Sequence, residues 1–232
     1  APHARRRLLV LGIGTMAFGM ADILLEPFGG QVLQMSVAST TRLTALFALG
    51  GLLGFAFASF TLGRGAHPYR LAAQGALLVL PAFVFVMIAY PLQIPAIFLV
   101  GNFLIGFGAA LFGHGTLTAT MRQAPQRQAG LAIGAWGAVQ ATAAGAAVAL
   151  SGAIRDIADA STGASGSATG YLTVYSLEIA LLLVTLAIVL PLLRRGPARA
   201  DLPDADTLDD TGRQFQAART SESAGTTGRV AT

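Results

Sequence analysis

Two carboxylates interrupt the first apolar run of this chain: Asp22 and Glu26, in the stretch ADILLEPFGGQVL (residues 21–33). Four residues apart, they share one helical face. Extending that face backwards adds Gly19, Thr15 and Gly12, a stripe of small and polar residues in a helix otherwise made of Leu, Ile, Met, Phe and Ala. A carboxylate facing lipid costs about 2.5–3.5 kcal/mol even on lenient insertion scales. The stripe is therefore expected to turn inward, where such a group serves as a proton-coupling or partner-binding site. Pro27 removes a backbone donor, and Gly29-Gly30 weakens the helix further. A kink or an unwound turn is expected there, as in broken helices that line sites at membrane depth. The plainer reading has Glu26 near the interface, merely reaching for water.

His114 stands between Gly113 and Gly115 in LFGHGTLTATM. A histidine deep in an apolar helix can act as an axial ligand to a metal macrocycle, as a proton carrier or as a hydrogen-bond partner. Flanking glycines let a flat ring approach the backbone. Phe107, Ala110 and Thr118 share its face. The structural alternative is a hydrogen bond to a neighbouring helix, with Thr118 or Asn102 nearby. Gln140, in GAWGAVQATAAG, also needs a partner inside a bundle, whereas Trp136 reads as an interfacial anchor. Glu178 is a further lone carboxylate, either a snorkelling surface group or a partner for a cationic or metal-bearing group.

The elements that position these residues follow from composition. The chain has 232 residues, 54% hydrophobic and 11% charged, with a mean hydropathy of +0.65. Soluble domains carry about 25% charged residues, so the deficit marks a membrane protein. A bilayer core of ~30 Å needs roughly 20 helical residues, and six segments qualify: 8–33, 43–62, 71–90, 96–121, 129–154 and 171–193. Strand-like alternation is absent from them, which argues against a β-barrel. The expected fold is an all-α membrane protein of six transmembrane helices. Residues 1–7 form a cytoplasmic N-terminal segment, residues 8–195 the membrane domain and residues 196–232 a disordered cytoplasmic tail.

The net charge of +4 and a pI near 10.3 would suggest nucleic acid in a soluble protein. Here the arginines sit at the ends of apolar runs and act as topology signals, so no nucleic-acid partner is expected. Ten arginines fall in the N-terminal segment, the second and fourth connections and residues 194–199, against Arg42 and Arg155 in the other connections. The positive-inside rule then puts both termini in the cytoplasm. Residues 159–170, rich in Ala, Ser, Gly and Thr, read as a flexible external loop.

On the fifth span, Gly130, Gly134, Gly137 and Gly145 recur every three to four residues, with Ala141 in the same pattern. Such a small-residue ridge permits close helix–helix approach. Gly101, Gly108 and Gly115 repeat the idea on the fourth. With no cysteine, disulfides and thiolate sites are excluded. No P-loop, G-x-S-x-G, HExxH or deaminase spacing is present, so an enzyme is not expected.

The loop GRGAHPYR (63–70) resembles the basic inter-helix loop of the major facilitator superfamily, without its aspartate, and six spans are the size of one facilitator half. A more specific similarity lies in three runs. They are GIGTMAFGMADILLEPFGGQVLQMSVASTTRLTALFALGGLLGF (12–55), LFGHGTLTATMR (111–122) and GLAIGAWGAVQATAAG (130–145). Over about residues 8–195 the chain closely resembles the carboxy-terminal half of the PucC, or bacteriochlorophyll delivery, family. The resemblance implies a multi-pass protein of the bacterial inner, intracytoplasmic photosynthetic membrane. It would assist assembly of light-harvesting complexes by handling bacteriochlorophyll or the antenna α and β polypeptides, with the reaction centre a further partner. Asp22, Glu26, His114, Phe107 and Gln140 are the candidate pigment or partner contacts, and no separate metal site is expected. The chain is shorter than full members. It is thus a fragment, or a half-length protein whose open interface needs the missing N-terminal half or a second copy. The alternative function is a secondary transporter half using Asp22 or Glu26 for proton coupling; a third is a purely structural subunit.

Overall fold

In lipid every backbone donor and acceptor must be satisfied within the segment, and only helices or closed barrels achieve this. The computed structural model, which describes residues 2–162 and 168–193, takes the helical solution. Its helices are α1 (Pro2–Gln31), α2 (Val37–Gly63), α3 (Pro68–Leu92), α4 (Pro95–Gln123), α5 (Ala129–Thr162) and α6 (Ala168–Leu193). All six are long and apolar enough to cross a membrane. The expected tail, 196–232, lies outside the described residues.

The boundaries follow local chemistry. Ser36 caps α2, its Oγ accepting the Ser39 N–H at 3.3 Å. Proline opens α3 and α4, where its missing N–H costs nothing. Gln93 closes α3 in the left-handed region at φ 51°. Alternating direction puts the start of α1 and the finish of α6 at one end with the α2–α3 and α4–α5 connections. That end carries most of the arginines; the other is called the opposite end below.

Glycine lets α4 sit close to both neighbours. A Cβ on Gly108 would lie 2.7 Å from the Gly75 carbonyl of α3, and one on Gly115 2.7 Å from the Pro68 carbonyl. On α2, a Cβ on Gly54 would lie 2.8 Å from Ala110 Cβ. Asn102, buried on α4, donates to the Leu43 carbonyl of α2 at 2.7 Å. Across the bundle α1 packs on α5 and α6, and α3 reaches α6. Phe28, Phe83, Phe98, Tyr171 and Tyr175 fill the core between them.

Several expectations are corrected. No turn unwinds at Pro27: α1 runs through it and ends four residues later at Gln31. Pro27 still has no N–H for the Ile23 carbonyl, but the helix assignment continues past it. The stripe on α1 divides. Gly19 meets Ala144 and Ala147 of α5 and Thr15 is buried, whereas Asp22 and Glu26 are exposed. A helix is in contact with α5 over only part of its length, so a shared face does not share burial. The ridge of Gly130, Gly134, Gly137 and Gly145 packs on nothing described: added Cβ atoms there would meet nothing within 4 Å. The α5 face used by α1 is instead Val139, Ala144 and Ala147.

The expected external loop is also shorter. α5 continues to Thr162 because Asp159 is held on both sides. Its Oδ1 accepts the Gly170 N–H at 2.9 Å and its Oδ2 lies 3.7 Å from Arg155 Nε. This carboxylate on the first turn of α6 also favours that helix terminus.

Candidate functional site

The short connection between α4 and α5, a single 3-10 turn at Gln126–Gln128, would ordinarily keep two helices in contact. Here they part. Glycines draw α4 onto α2 and α3, while Gly12 and Gly19 draw α5 onto α1. The gap is a groove of about 330 Å³ between α2, α4 and α5. Phe47 and Phe55 of α2, His114 and Leu117 of α4, and Trp136 and Gln140 of α5 line it.

The groove brings together two of the residues singled out by sequence, His114 and Gln140. The imidazole is half-buried, edge-on to Phe55 at 5.5 Å between ring centroids. Its Nε2 lies 3.5 Å from Ser59 Oγ, at the long limit for a hydrogen bond, so the ring is only loosely tethered. Asn102, offered by sequence as a partner, is committed to Leu43. The flanking glycines differ. Gly115 is filled by α3, but a Cβ on Gly113 would meet nothing within 4 Å, and Gly113 opens into the groove.

Trp136 is a wall of the site. Its Nε1 donates to Thr116 Oγ1 at 3.4 Å. The same indole bounds a second cleft of about 280 Å³ toward the arginine-rich end, where Arg7, Tyr69, Thr120 and Gln123 supply polar groups. The groove role of Trp136 was not legible in sequence, because an indole beside Gly137 looks the same whether it meets lipid or a groove.

The remaining candidates lie elsewhere. Phe107 faces Phe57 and Phe103, at 6.0 and 6.5 Å, outside the groove lining. Glu26 lines a separate opening of about 490 Å³ between α1 and α2, with Ile23, Pro27, Gln31 and Thr40. Asp22 is exposed and lines none of these three spaces. Among the described residues, Asp159 is buried at the end of α5, and the carboxylate with no accessible surface is Glu178. A lone acid in an apolar span was its sequence signal, but burial was not legible there.

Were a metal-bearing tetrapyrrole to bind here, His114 would supply a nitrogen ligand, the Phe47, Phe55 and Trp136 rings apolar walls and the Gln140 amide a hydrogen-bond donor, all lining one groove. Its volume is at the lower end for ligand sites. Among the described residues no three His, Asp or Glu side chains cluster as a separate metal site would need.

Comparison with known proteins agrees with the architecture. The family model described as PUCC protein matches residues 1–196. The chain is 55% identical over 198 residues to Protein PucC of Cereibacter sphaeroides, covering 84% of this chain and 43% of that protein. It is 59% identical over 155 residues to Protein PucC of Rhodovulum sulfidophilum, covering 67% and 34%. With Protein PucC of Rhodobacter capsulatus the identity is 52% over 193 residues, covering 82% and 42%. The chain thus spans less than half the length of these curated relatives, corresponding to their carboxy-terminal half. Six membrane-length helices and this similarity make it a multi-pass membrane protein, and it belongs to the PucC family.

Proposed function

We propose that this chain is the carboxy-terminal part of an assembly factor or accessory subunit for light-harvesting complexes in the photosynthetic membrane, handling bacteriochlorophyll, antenna polypeptides or both. The observation that carries the reading is the groove between α2, α4 and α5, which sets an imidazole, an amide and three aromatic rings around one apolar space. In it His114 would offer a nitrogen to the pigment's magnesium, and the Gln140 amide would donate to a rim keto oxygen. Phe47, Phe55 and Trp136 would exclude water from the ring faces. What the pigment supplies when bound is light absorption, and the residues here only hold and orient it.

The exposed glycine ridge of α5 supports a partner reading. Gly130, Gly134, Gly137 and Gly145 leave a backbone-level track open to another helix. The remaining half of a full-length family protein, a second copy or an antenna polypeptide would fit it. The arginine distribution supports an inner-membrane orientation with both termini cytoplasmic.

The test is the absorption spectrum of protein purified from a pigment-producing host. The expected result is stoichiometric near-infrared absorbance that is lost in His114→Ala. Colourless protein that still rescues antenna assembly would remove the ligand role of His114 and keep the assembly role. Proton-driven solute uptake abolished by Asp22→Asn or Glu26→Gln would replace this reading with transport.

A further inference from the structure

The bundle encloses an acid that neither the groove nor the α5 ridge uses. Glu178 lies ten residues into α6, about 15 Å along the helix at 1.5 Å per residue. It has no accessible surface, and neither carboxyl oxygen has a hydrogen-bond partner. The backbone amide of Ala21 on α1 faces the carboxyl without closing a hydrogen bond. One turn away on the same helix face is Tyr175, also without accessible surface and with its hydroxyl likewise unpartnered. Phe28 and Phe83 seal that ring at centroid distances of 5.5 and 6.1 Å.

These three orphan atoms belong to residues one helical turn apart in an apolar core. Tyr171, a further turn toward the opposite end, donates its hydroxyl to Gln31 Oε1 at 2.8 Å. Gln31 lines the open space that also holds Glu26. Tyr171 and Tyr175 thus stand in order on α6 between Gln31, at an accessible opening, and Glu178, with the steps from Tyr171 to Tyr175 and from Tyr175 to Glu178 not closed by a hydrogen bond.

An ionised carboxylate in such a place requires a cation. The buried residues of α1, α3 and α6 offer no arginine or histidine among those described, and their titratable groups are Tyr69, Tyr171, Tyr175 and Glu178. Arg155 of α5 stacks over the Tyr171 ring at 4.8 Å, two turns from Glu178, and is engaged by Asp159. Asp22, next to Ala21, is exposed. A buried charge without a partner is far costlier than the neutral acid.

We propose that Glu178 is an intramembrane proton-binding site, with Gln31, Tyr171 and Tyr175 as its route from the opposite end of the bundle. A proton from water at that opening bonds to one carboxyl oxygen, converting carboxylate to carboxylic acid, and no other bond changes. The neutral acid keeps α6 packed on α1 and α3; loss of the proton places a bare charge in that seam and favours separation of α6.

Infrared spectroscopy of the full-length protein in membranes tests this. The expected result is a carboxylic-acid C=O stretch at neutral pH that shifts in D2O and is missing in Glu178→Gln, while Asp22→Asn and Glu26→Gln retain it. Tyr171→Phe and Tyr175→Phe should each slow the D2O shift at least tenfold. A spectrum with no such acid band in the wild type overturns the site, as does a band that survives in Glu178→Gln. Unchanged exchange in both tyrosine variants overturns the route. Should Glu178→Gln not fold, Glu178→Met gives the same readout, and the wild-type band with the two tyrosine variants decides the proposal without either.

Discussion

The side-chain amide of Asn102 donates to the main-chain carbonyl of Leu43, 2.7 Å away, across the seam between α2 and α4. Both residues are buried, and Leu43 also packs in the main core. The bond uses a second lone pair of a helical carbonyl, which costs α2 nothing.

Asn102→Leu removes that donor without leaving the carbonyl orphaned, since its helical bond remains. Interhelical hydrogen bonds of this kind are worth about 0.6 kcal/mol on average and up to about 1.7 in membranes. We expect a loss of about 1 kcal/mol, measured by unfolding in mixed detergent micelles.

Two glycine substitutions should behave oppositely. Gly108→Ala puts a methyl group 2.7 Å from the Gly75 carbonyl and should cost about 1–3 kcal/mol by overpacking the α3–α4 seam. Gly134→Ala meets nothing within 4 Å and should raise the stability of the isolated chain by roughly 0.5–1 kcal/mol through helix propensity. Thermal unfolding of both variants in one detergent checks the contrast. If the α5 ridge docks a partner, Gly134→Leu should also weaken co-purification while leaving the chain's own melting no lower than that of the wild type.

Asp159 ties the end of α5 to the start of α6 through the Gly170 N–H and Arg155. Asp159→Ala leaves a buried amide and a guanidinium without that acceptor, at a cost of about 1–3 kcal/mol. Asp159→Asn, which keeps one acceptor oxygen, should lose less. Hydrogen–deuterium exchange at the first turn of α6 should rise in the same order.

Gly113 faces the groove with open space where a side chain would stand. Gly113→Leu should fold normally and fill the space beside His114. If the groove holds pigment, this variant loses the near-infrared absorbance as fully as His114→Ala, although it retains the imidazole. Parallel spectra of the two variants, with melting curves to show intact folding, separate blocked space from a lost ligand.

Much of this protein was legible in its residues. Six apolar runs became six helices because hydrocarbon leaves the backbone few other ways to satisfy itself, and the runs at 43–62 and 96–121 lie wholly within α2 and α4. The spacing of Gly101, Gly108 and Gly115 marks a packing face, and α3 closes on them. The motifs around Gly12, His114 and Gly130 carried the family.

Tertiary structure alone decided which polar residues face inward. Asp22 and Glu26 share a helical face with Thr15, yet Thr15 is buried and they are exposed, because burial depends on where a neighbouring helix begins and ends. Glycine ridges on α4 and α5 look alike in sequence, but one meets a neighbour and the other open space. Periodicity assigns a residue to a side of its own helix and carries no information about what stands opposite. For the same reason Glu178, indistinguishable in sequence from a surface acid, proved to be the carboxylate at the centre of the bundle.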